Sequence, residues 1–239
     1  MCIRDRPSIG PDGEFHFIGV FTDDQGATTW NYVEATSPVN RCEPVKQINS
    51  AGDGGDASPG DGSCDTGGTV DGEPECTLRA AIEESNAGSN LERIEFASDV
   101  SWRRIDPGSA LPPITSGLDL VGLPGMVIDG SGAGTSAVGL RVEADGTTVS
   151  DLTLANFDSH GIHATADVNL VRVSATGNGG FGARFDGVTR LEGASTVQAN
   201  GAGGIWASAR DRALTELKLQ ALGPELIVCL LYTSDAADE

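Results

Sequence analysis

The sequence contains few aromatic side chains, few basic side chains and no long apolar run. Phe, Trp and Tyr make up 5% of the 239 residues, whereas glycine supplies 33 of them, so a thick aromatic core is excluded. No run of 18 apolar residues occurs, which excludes a membrane span within this stretch of chain. Lys and Arg number 15 against 35 Asp and Glu, and the resulting net charge of -20 makes nucleic acid and anionic lipid unfavourable partners.

Both ends of the chain resemble translated adapter DNA from sequencing-library preparation. Residues 229–239 correspond to the translation of a transposase adapter, and the residues from Met1 to Asp5 correspond to its reverse complement. We therefore expect residues 1–6 and 229–239 to be foreign to the natural protein, whose gene would then continue in both directions. The alternative is that both are natural termini.

The composition changes several times between these ends. Residues 7–44 have the strand, turn and strand pattern of a terminal hairpin from a preceding β-sandwich domain. Residues 45–90 contain a Gly/Asp-rich loop and a short helical pattern, and residues 91–208 contain short apolar strands separated by Gly and Asp. In residues 209–228 the glycines become sparse and a helix-like pattern begins, which suits either a native terminal helix or a chimeric segment.

Two of the three cysteines outside the adapter-like ends enclose the Gly/Asp-rich loop. Cys64 and Cys76 flank this loop, which has no regular apolar pattern. We predict that they form a disulfide, which implies an oxidising compartment and hence a secreted or cell-surface protein. Two free thiols are the alternative, and Cys42 has no assigned role.

The same loop carries four aspartates separated by flexible glycines. Oxygen ligands of this kind suit Ca²⁺, although their spacing does not follow an EF-hand. Calcium is the one cofactor that the sequence suggests, and solvated turn carboxylates are the alternative. The candidate ligands are Asp53, Asp56, Asp61 and Asp65.

Four short segments share one pattern: a glycine, a bulky apolar residue, a variable residue and a small apolar residue. They recur every 19–24 residues, at 139–142, 161–164, 180–183 and 204–207. A second apolar strand begins nine residues before each of the last three glycines, at Leu152, Val171 and Ser195. Two strands that repeat in step indicate the coils of one solenoid. Glycine at each corner would allow backbone conformations that other residues avoid.

Stacked coils place every second side chain of these segments inside. The predicted inward columns are Leu140, Ile162, Phe181 and Ile205, and beside them Val142, Ala164, Ala183 and Ala207. The predicted outward columns are Arg141, His163, Gly182 and Trp206, and beside them Glu143, Thr165, Arg184 and Ser208. An antiparallel β-sandwich with irregular glycine turns is the alternative.

The segment from Cys76 to Ile82 resembles the CSLREA-type domain. That family places Cys-Ser-Leu-Arg-Glu-Ala after an Asp/Gly-rich loop with an earlier cysteine, and here Thr77 replaces the serine and Ala80 the glutamate. The resemblance covers about residues 45–90. It implies an N-terminal cap on a right-handed parallel β-helix of a secreted bacterial protein.

A cap of this kind has a physical rationale. Thr77 suits the N-cap of a short helix on which Leu78, Ala81 and Ile82 share one face. This face could cover the strand edges and the apolar end that the first coil of a solenoid exposes. The predicted fold is therefore an all-β, right-handed parallel β-helix with an N-terminal cap made of a loop and a short helix.

The outward residues of the coils suggest a ligand face. An aromatic side chain with cationic neighbours on a long flat sheet suits an extended sugar chain, and parallel β-helices often bind polysaccharides in this way. We predict that a polysaccharide or cell-surface glycan binds there, with an ordinary solvated face as the alternative. The predicted ligand-face residues are Arg141, His163, Arg184 and Trp206.

The sequence names no catalytic residue. Asp158 and His160 lie close together, and Asp151, Asp167 and Asp186 could supply a carboxylate pair, but these positions do not align between coils. The first hypothesis is therefore a non-catalytic adhesion, glycan-binding or structural module. The alternative is a polysaccharide lyase or glycoside hydrolase whose active residues lie partly outside this chain.

Overall fold

The structure is a computed structural model that divides the chain into two units, Met1–Glu43 and Pro44–Glu239. It describes residues 8–9, 15–22, 28–34, 45–88, 92–187, 189–192, 195–208 and 228–231. The segment 209–227 and most of the two adapter-like ends lie outside the described residues.

The first unit contains a three-stranded antiparallel sheet. Its strands are β1 (Ser8–Ile9), β2 (Phe15–Thr22) and β3 (Thr28–Glu34), in the order β1-β2-β3. β2 and β3 pair antiparallel over seven residue pairs, from His16 opposite Glu34 to Thr22 opposite Thr28. That this hairpin ends a β-sandwich stays a prediction.

The second unit is a solenoid of three parallel sheets, which the chain enters in the repeating order A, B, C from Leu118 to Ser208. Sheet A contains β4 (Val45–Ile48), β7 (Glu92–Phe96), β9 (Leu118–Val121), β12 (Thr147–Ser150), β15 (Val168–Val171) and β18 (Thr189–Glu192). Sheet B contains β8 (Arg104–Ile105), β10 (Val127–Asp129), β13 (Thr153–Ala155), β16 (Ser174–Thr176) and β19 (Thr196–Gln198). Sheet C contains β11 (Leu140–Val142), β14 (Ile162–Ala164), β17 (Phe181–Phe185), β20 (Gly203–Ser208) and β21 (Val228–Leu231).

Three smaller elements complete this unit. A two-stranded antiparallel ribbon joins β5 (Thr69–Val70) to β6 (Glu73–Pro74), helix α1 spans Leu78–Ala87, and a single 3-10 turn spans Gly130–Gly132. No helix among the described residues is both long enough and apolar enough to cross a membrane. The prediction of a parallel β-helix is confirmed, and the antiparallel sandwich is excluded, because every pairing within the three sheets is parallel.

The core consists of side chains stacked in register from coil to coil. In each sheet, one inward column has four members that are all at most 2% exposed. The columns are Ile94, Leu120, Val149 and Leu170 in sheet A, Ile105, Ile128, Leu154 and Ala175 in sheet B, and Leu140, Ile162, Ala183 and Ile205 in sheet C. The backbone groups of these strands are paired within the sheets, so the inward side chains can all be apolar, and the core is mostly aliphatic.

The predicted register was wrong by two residues in one coil. Ile162 pairs with Ala183, not with Phe181, and Phe181 pairs with Gly203. The repeating glycine of that coil is therefore Gly182, and the repeats are 22, 21 and 22 residues long. The error arose because Gly180 and Gly182 fit the same alternation, and the bulky Phe181 seemed the better inward residue.

The same shift changes the neighbouring columns. The second inward column is Val142, Ala164, Phe185 and Ala207, with Phe185 where Ala183 was predicted. In sheet B, Thr153 pairs with Ser174 and Ser174 with Thr196, so the strand predicted to begin at Val171 is displaced by two residues as well. Phe185 is 1% exposed and supplies the bulk that had been assigned to Phe181.

The repeating glycines are required by space, which corrects the expectation that they supply unusual backbone angles. Gly139, Gly161 and Gly182 do not have positive φ. A Cβ atom on Gly161 would lie 2.7 Å from the carbonyl oxygen of Gly182 and 2.8 Å from Nδ2 of Asn178. Side chains are therefore excluded here because successive coils pass too close together.

Left-handed backbone occurs instead at two other corners. Between sheets A and B, Asp151 and Arg172 have φ of 55° and 54°, and their side chains form two hydrogen bonds of 2.6 Å from one coil to the next. Between sheets B and C, the equivalent residues Asn156, Gly177 and Ala199 have φ of 58°, 68° and 53°. Only one of these five residues is a glycine, so these corners cannot be recognised from residue type alone.

Two asparagines connect the coils inside the corner between sheets B and C. Oδ1 of Asn178 accepts the backbone N–H of Phe157 at 3.0 Å, and its Nδ2 donates to the carbonyl oxygen of Leu154 at 3.2 Å and to Oδ1 of Asn200 at 2.9 Å. Oδ1 of Asn200 also accepts the backbone N–H of Asn178 at 3.0 Å. Two of these contacts satisfy the backbone N–H groups of Phe157 and Asn178, which lie outside the strands.

The N-terminal cap has the form that the sequence predicted. The hydroxyl of Thr77 accepts the backbone N–H of Ala80 at the start of α1, and Leu78, Ala81 and Ile82 are at most 1% exposed within the core. Ala80 is fully buried, so the glutamate of the CSLREA pattern would not fit there without a partner.

The loop before α1 is held by a disulfide and by a buried ion cluster. The predicted disulfide between Cys64 and Cys76 is confirmed, and closing a loop of this size stabilises the fold by on the order of 2–3 kcal/mol. Nζ of Lys46 in β4 lies 3.4 Å from Glu92 and 3.8 Å from Glu84. Glu84 also accepts the backbone N–H of Gly62 at 2.6 Å, so one cluster joins the loop, α1 and sheet A.

Candidate ligand-binding face

The four residues predicted as a ligand face lie in one column on the outside of sheet C. Arg141 pairs with His163, His163 with Arg184, and Arg184 with Trp206, each one coil apart. The sequence had placed Gly182 in this column and Arg184 in the next one, and the two-residue shift moves Arg184 into this column and Asp186 into the next one. Parallel strands are about 4.8 Å apart, so the column presents one side chain per coil along the solenoid axis.

Carboxylates accompany this column in the next outward position. Nε of Arg141 donates to Oε1 of Glu143 at 2.5 Å. Nε2 of His163 lies 3.0 Å from Oδ2 of Asp186. The face therefore contains paired charges, and only part of its positive charge is available to a ligand.

An aromatic pair lies at the corner where the chain enters sheet C. The rings of His160 and Phe181 stack with their centroids 5.7 Å apart and their planes at 27°. Nδ1 of His160 accepts the backbone N–H of Phe181 at 2.9 Å. The next coil has Gly203 at this position, and a Cβ there would lie 3.5 Å from Cε1 of Phe181. Because Gly203 has no side chain, it places nothing beyond its backbone against the Phe181 ring.

Arg184 and Trp206 form the second ring contact of the face. The guanidinium carbon of Arg184 lies 4.7 Å from the centroid of the Trp206 ring, which is a cation–π arrangement. Nε of Arg184 is 3.5 Å from Oδ2 of Asp186, but this contact lacks the geometry of a hydrogen bond. The sequence indicated Arg184 and Trp206 separately, and it could not indicate that they touch.

The environment of His160 favours its neutral form. Burial lowers the pKa of His160, and the nearby His163 and Arg184 lower it further, against a smaller opposite effect of Asp186. The hydrogen bond with Phe181 acts consistently with this, because only an unprotonated Nδ1 can accept it.

We expect the protein to lose stability when the pH falls below the ordinary histidine pKa of about 6.5. The pKa of His160 is lowered in the folded state, so its contribution is complete above the unfolded-state pKa and is lost as the pH falls through the folded-state pKa. Thermal unfolding between pH 7.5 and pH 4.5 would measure this. His160→Gln should flatten the upper part of the profile, whereas His163→Gln should retain it. An unchanged profile in His160→Gln would contradict the assignment.

The four aspartates predicted to bind calcium are engaged separately. Asp53 pairs with Arg79, with Nε of Arg79 3.0 Å from Oδ1. Asp56, Asp61 and Asp65 each accept the backbone N–H two residues further on, at 2.7–2.8 Å. Within the described ranges, no group of three or more His, Cys, Asp or Glu could hold a metal ion. Calcium stays a prediction that these contacts do not favour.

The carboxylates considered for catalysis also have partners. Asp151 binds Arg172, and Asp158 accepts the backbone N–H of Ser136 at 2.6 Å. A buried carboxylate that the sequence analysis did not single out, Asp129, is bound by Asn156 at 2.6 Å and Arg104 at 3.0 Å. Burial would raise the pKa of Asp129, but its hydrogen bonds and the Arg104 charge outweigh that effect and lower it. A general acid needs a raised pKa, so Asp129 has the wrong environment for that role.

Comparison with known proteins gives no guide to function. No protein-family model matches the chain, and no curated protein or solved structure matches it significantly. The class of protein is therefore defined by the fold, which is a parallel β-helix with a capped end.

Proposed function

We propose that the protein is a non-catalytic β-helix module of a secreted or cell-surface protein and that the outer face of sheet C binds a glycan. The observation that carries this proposal is the outward column of Arg141, His163, Arg184 and Trp206, one residue per coil. The spacing of about 4.8 Å between coils is similar to the repeat of a pyranose chain, so successive sugars could contact successive coils.

The ring contacts support a sugar as the ligand. Trp206 and Phe181 are both partly exposed on a chain that has few aromatic residues. The apolar faces of sugar rings stack on aromatic side chains, and Trp and Arg are frequent at the energetic centre of binding surfaces. His163 and Thr165, on the coil before Arg184, provide polar groups for sugar hydroxyls.

The cap and its disulfide support a location outside the cytoplasm. The bond between Cys64 and Cys76 requires an oxidising compartment to persist. The resemblance of residues 45–90 to the CSLREA-type domain points the same way, because it implies a secreted bacterial protein. Both arguments concern the cap and are independent of the ligand face.

A non-catalytic role is preferred to a polysaccharide lyase or glycoside hydrolase. A glycosidase needs two carboxylates about 5–10 Å apart with different environments. On the ligand face, Glu143 is bound to Arg141 and Asp186 to His163. No observation among the described residues favours the enzyme over the binding module.

Replacing Trp206 by alanine should weaken glycan binding about tenfold or more, equivalent to about 1.4 kcal/mol. The measurement is titration of the full chain with those oligosaccharides that bind it on a glycan array, by calorimetry. Thr196→Ala changes an exposed residue of sheet B in the same coil and should leave the affinity unchanged. Equal affinity in the two variants, or no bound glycan at all, would refute the proposed face. Release of unsaturated or reducing ends on incubation would favour the enzyme instead.

A further inference from the structure

Arg184 differs from the other arginines of the ligand face and of the solenoid. Among the arginines whose side chains the structure describes, it alone has a guanidinium without a hydrogen bond to another described residue. The others donate to carboxylates, hydroxyl groups or backbone carbonyl groups. They are Arg79, Arg93, Arg103, Arg104, Arg141 and Arg172.

The position of Arg184 is nevertheless fixed. Its guanidinium stacks on Trp206 at 4.7 Å, and Asp186 lies 3.5 Å from Nε. Asp186 itself contacts Nε2 of His163 at 3.0 Å, so it does not occupy the fork of the arginine. Nε of Arg184 is buried, so a bidentate partner such as a carboxylate would bind the two terminal Nη groups.

The charge of the whole protein limits what that partner can be. The net charge of -20 repels a polymer that carries a negative charge on every sugar. A glycan with isolated acidic sugars between neutral ones meets much less repulsion and still supplies one carboxylate to Arg184. The neutral sugars on either side would then lie against Trp206 and Phe181.

We propose that the ligand is a sparsely charged acidic glycan, and that Arg184 binds the carboxylate of an acidic sugar that stands between neutral sugars. This inference rests on the proposed function and names the ligand class of the same face. Arg184 determines specificity for the acidic sugar, and the aromatic rings provide affinity that does not depend on charge.

Three oligosaccharides of equal length would test the inference on the full chain. They are a neutral β-1,4-glucan, an alternating glucuronate and N-acetylglucosamine oligosaccharide, and an oligogalacturonate with a carboxylate on every sugar. We expect the alternating oligosaccharide to bind about tenfold more tightly than either of the others. The difference should shrink as salt is added, because it depends on a charge pair.

Substitutions would assign the preference to Arg184. Arg184→Gln should reduce binding of the alternating oligosaccharide about tenfold and leave binding of the neutral glucan unchanged. Arg93→Gln is the matched control, because this exposed arginine lies on sheet A, outside the ligand face, and the variant should retain the preference. Circular dichroism would verify that both variants are folded.

The outcomes separate this inference from the proposed function. Equal binding of the neutral and alternating oligosaccharides, or a preference that survives in Arg184→Gln, would overturn the role of Arg184 and leave the glycan face intact. Tightest binding of the fully charged oligosaccharide would overturn the argument from net charge. If none of the three binds and Trp206→Ala has no effect on any glycan, the proposed function and the inference fail together.

Discussion

Replacing Gly161 by alanine is expected to lower the free energy of unfolding by about 3 kcal/mol. The new methyl group would lie 2.7 Å from the carbonyl oxygen of Gly182, 2.8 Å from Nδ2 of Asn178 and 3.0 Å from Cβ of Ala175. The carbonyl oxygen of Gly182 belongs to the backbone, and Nδ2 of Asn178 is hydrogen-bonded, so neither can move without breaking other contacts. The coils would have to separate locally, and parallel pairing between β14 and β17 would weaken.

Chemical denaturation of the full chain would measure this loss. Gly108→Ala is the matched control, because its Cβ would meet only Oδ2 of Asp53 at 3.6 Å and its φ is not positive. That control should change the free energy of unfolding by less than about 0.5 kcal/mol. If Gly161→Ala were equally mild, the close approach of the coils at this corner would be wrong.

Replacing Asn178 by alanine is expected to lower the free energy of unfolding by about 3 kcal/mol as well, but for a different reason. The side chain is buried and makes hydrogen bonds to the backbone N–H of Phe157, the carbonyl oxygen of Leu154 and the side chain of Asn200. Removing it leaves the buried backbone N–H of Phe157 without its partner, at a cost of about 1–3 kcal/mol, and also breaks the hydrogen bonds to Leu154 and Asn200, at about 1 kcal/mol each. Water could enter the cavity and recover part of this loss, so about 3 kcal/mol lies below the largest value.

Asn169→Ala provides the control for the asparagine prediction. Oδ1 of Asn169 is buried but has no hydrogen-bond partner, so its removal should change the free energy of unfolding by less than about 1 kcal/mol. Hydrogen exchange at the backbone N–H of Phe157 would identify the mechanism, since it should accelerate in Asn178→Ala and not in the control. Similar stability losses in the two variants would show that lost packing, not lost hydrogen bonds, determines the effect.

The fold could be predicted because its signals repeat. A glycine followed by alternating apolar residues recurs in four coils, and repetition compensates for the short length of each strand. The cap could be predicted from Thr77, the apolar face that begins at Leu78 and the two cysteines. The exact register could not, because the doublet of glycines at 180 and 182 gave two alignments with the same alternation.

The left-handed backbone at the corners could not be predicted from the sequence, for a physical reason. Left-handed backbone usually indicates glycine or asparagine, yet Arg172 and Ala199 adopt it here with φ of 54° and 53°. The stacking of neighbouring coils imposes this conformation, and a single sequence does not show which residues face one another between coils. The asparagine contacts of residues 178 and 200 were missed for the same reason, since their partners lie one coil away.

The sequence predicted which residues lie on the candidate ligand face but not the contacts between their side chains. Arg141, His163, Arg184 and Trp206 were identified as outward residues, and the structure places all four in one column. The stacking of His160 on Phe181 was missed because Phe181 had been assigned to the core. A residue that is both apolar and next to a repeating glycine has two possible orientations, and only the pairing of β17 with β14 decides between them.

From Gly139 onward the coils have a near-constant length of 21 or 22 residues, so they are interchangeable structural units. Duplication of one such unit would lengthen all three sheets and add one rung to every column without new interfaces, since each coil contacts only its neighbours. A surface that binds an extended ligand along successive coils could thus become longer without any change in its chemistry.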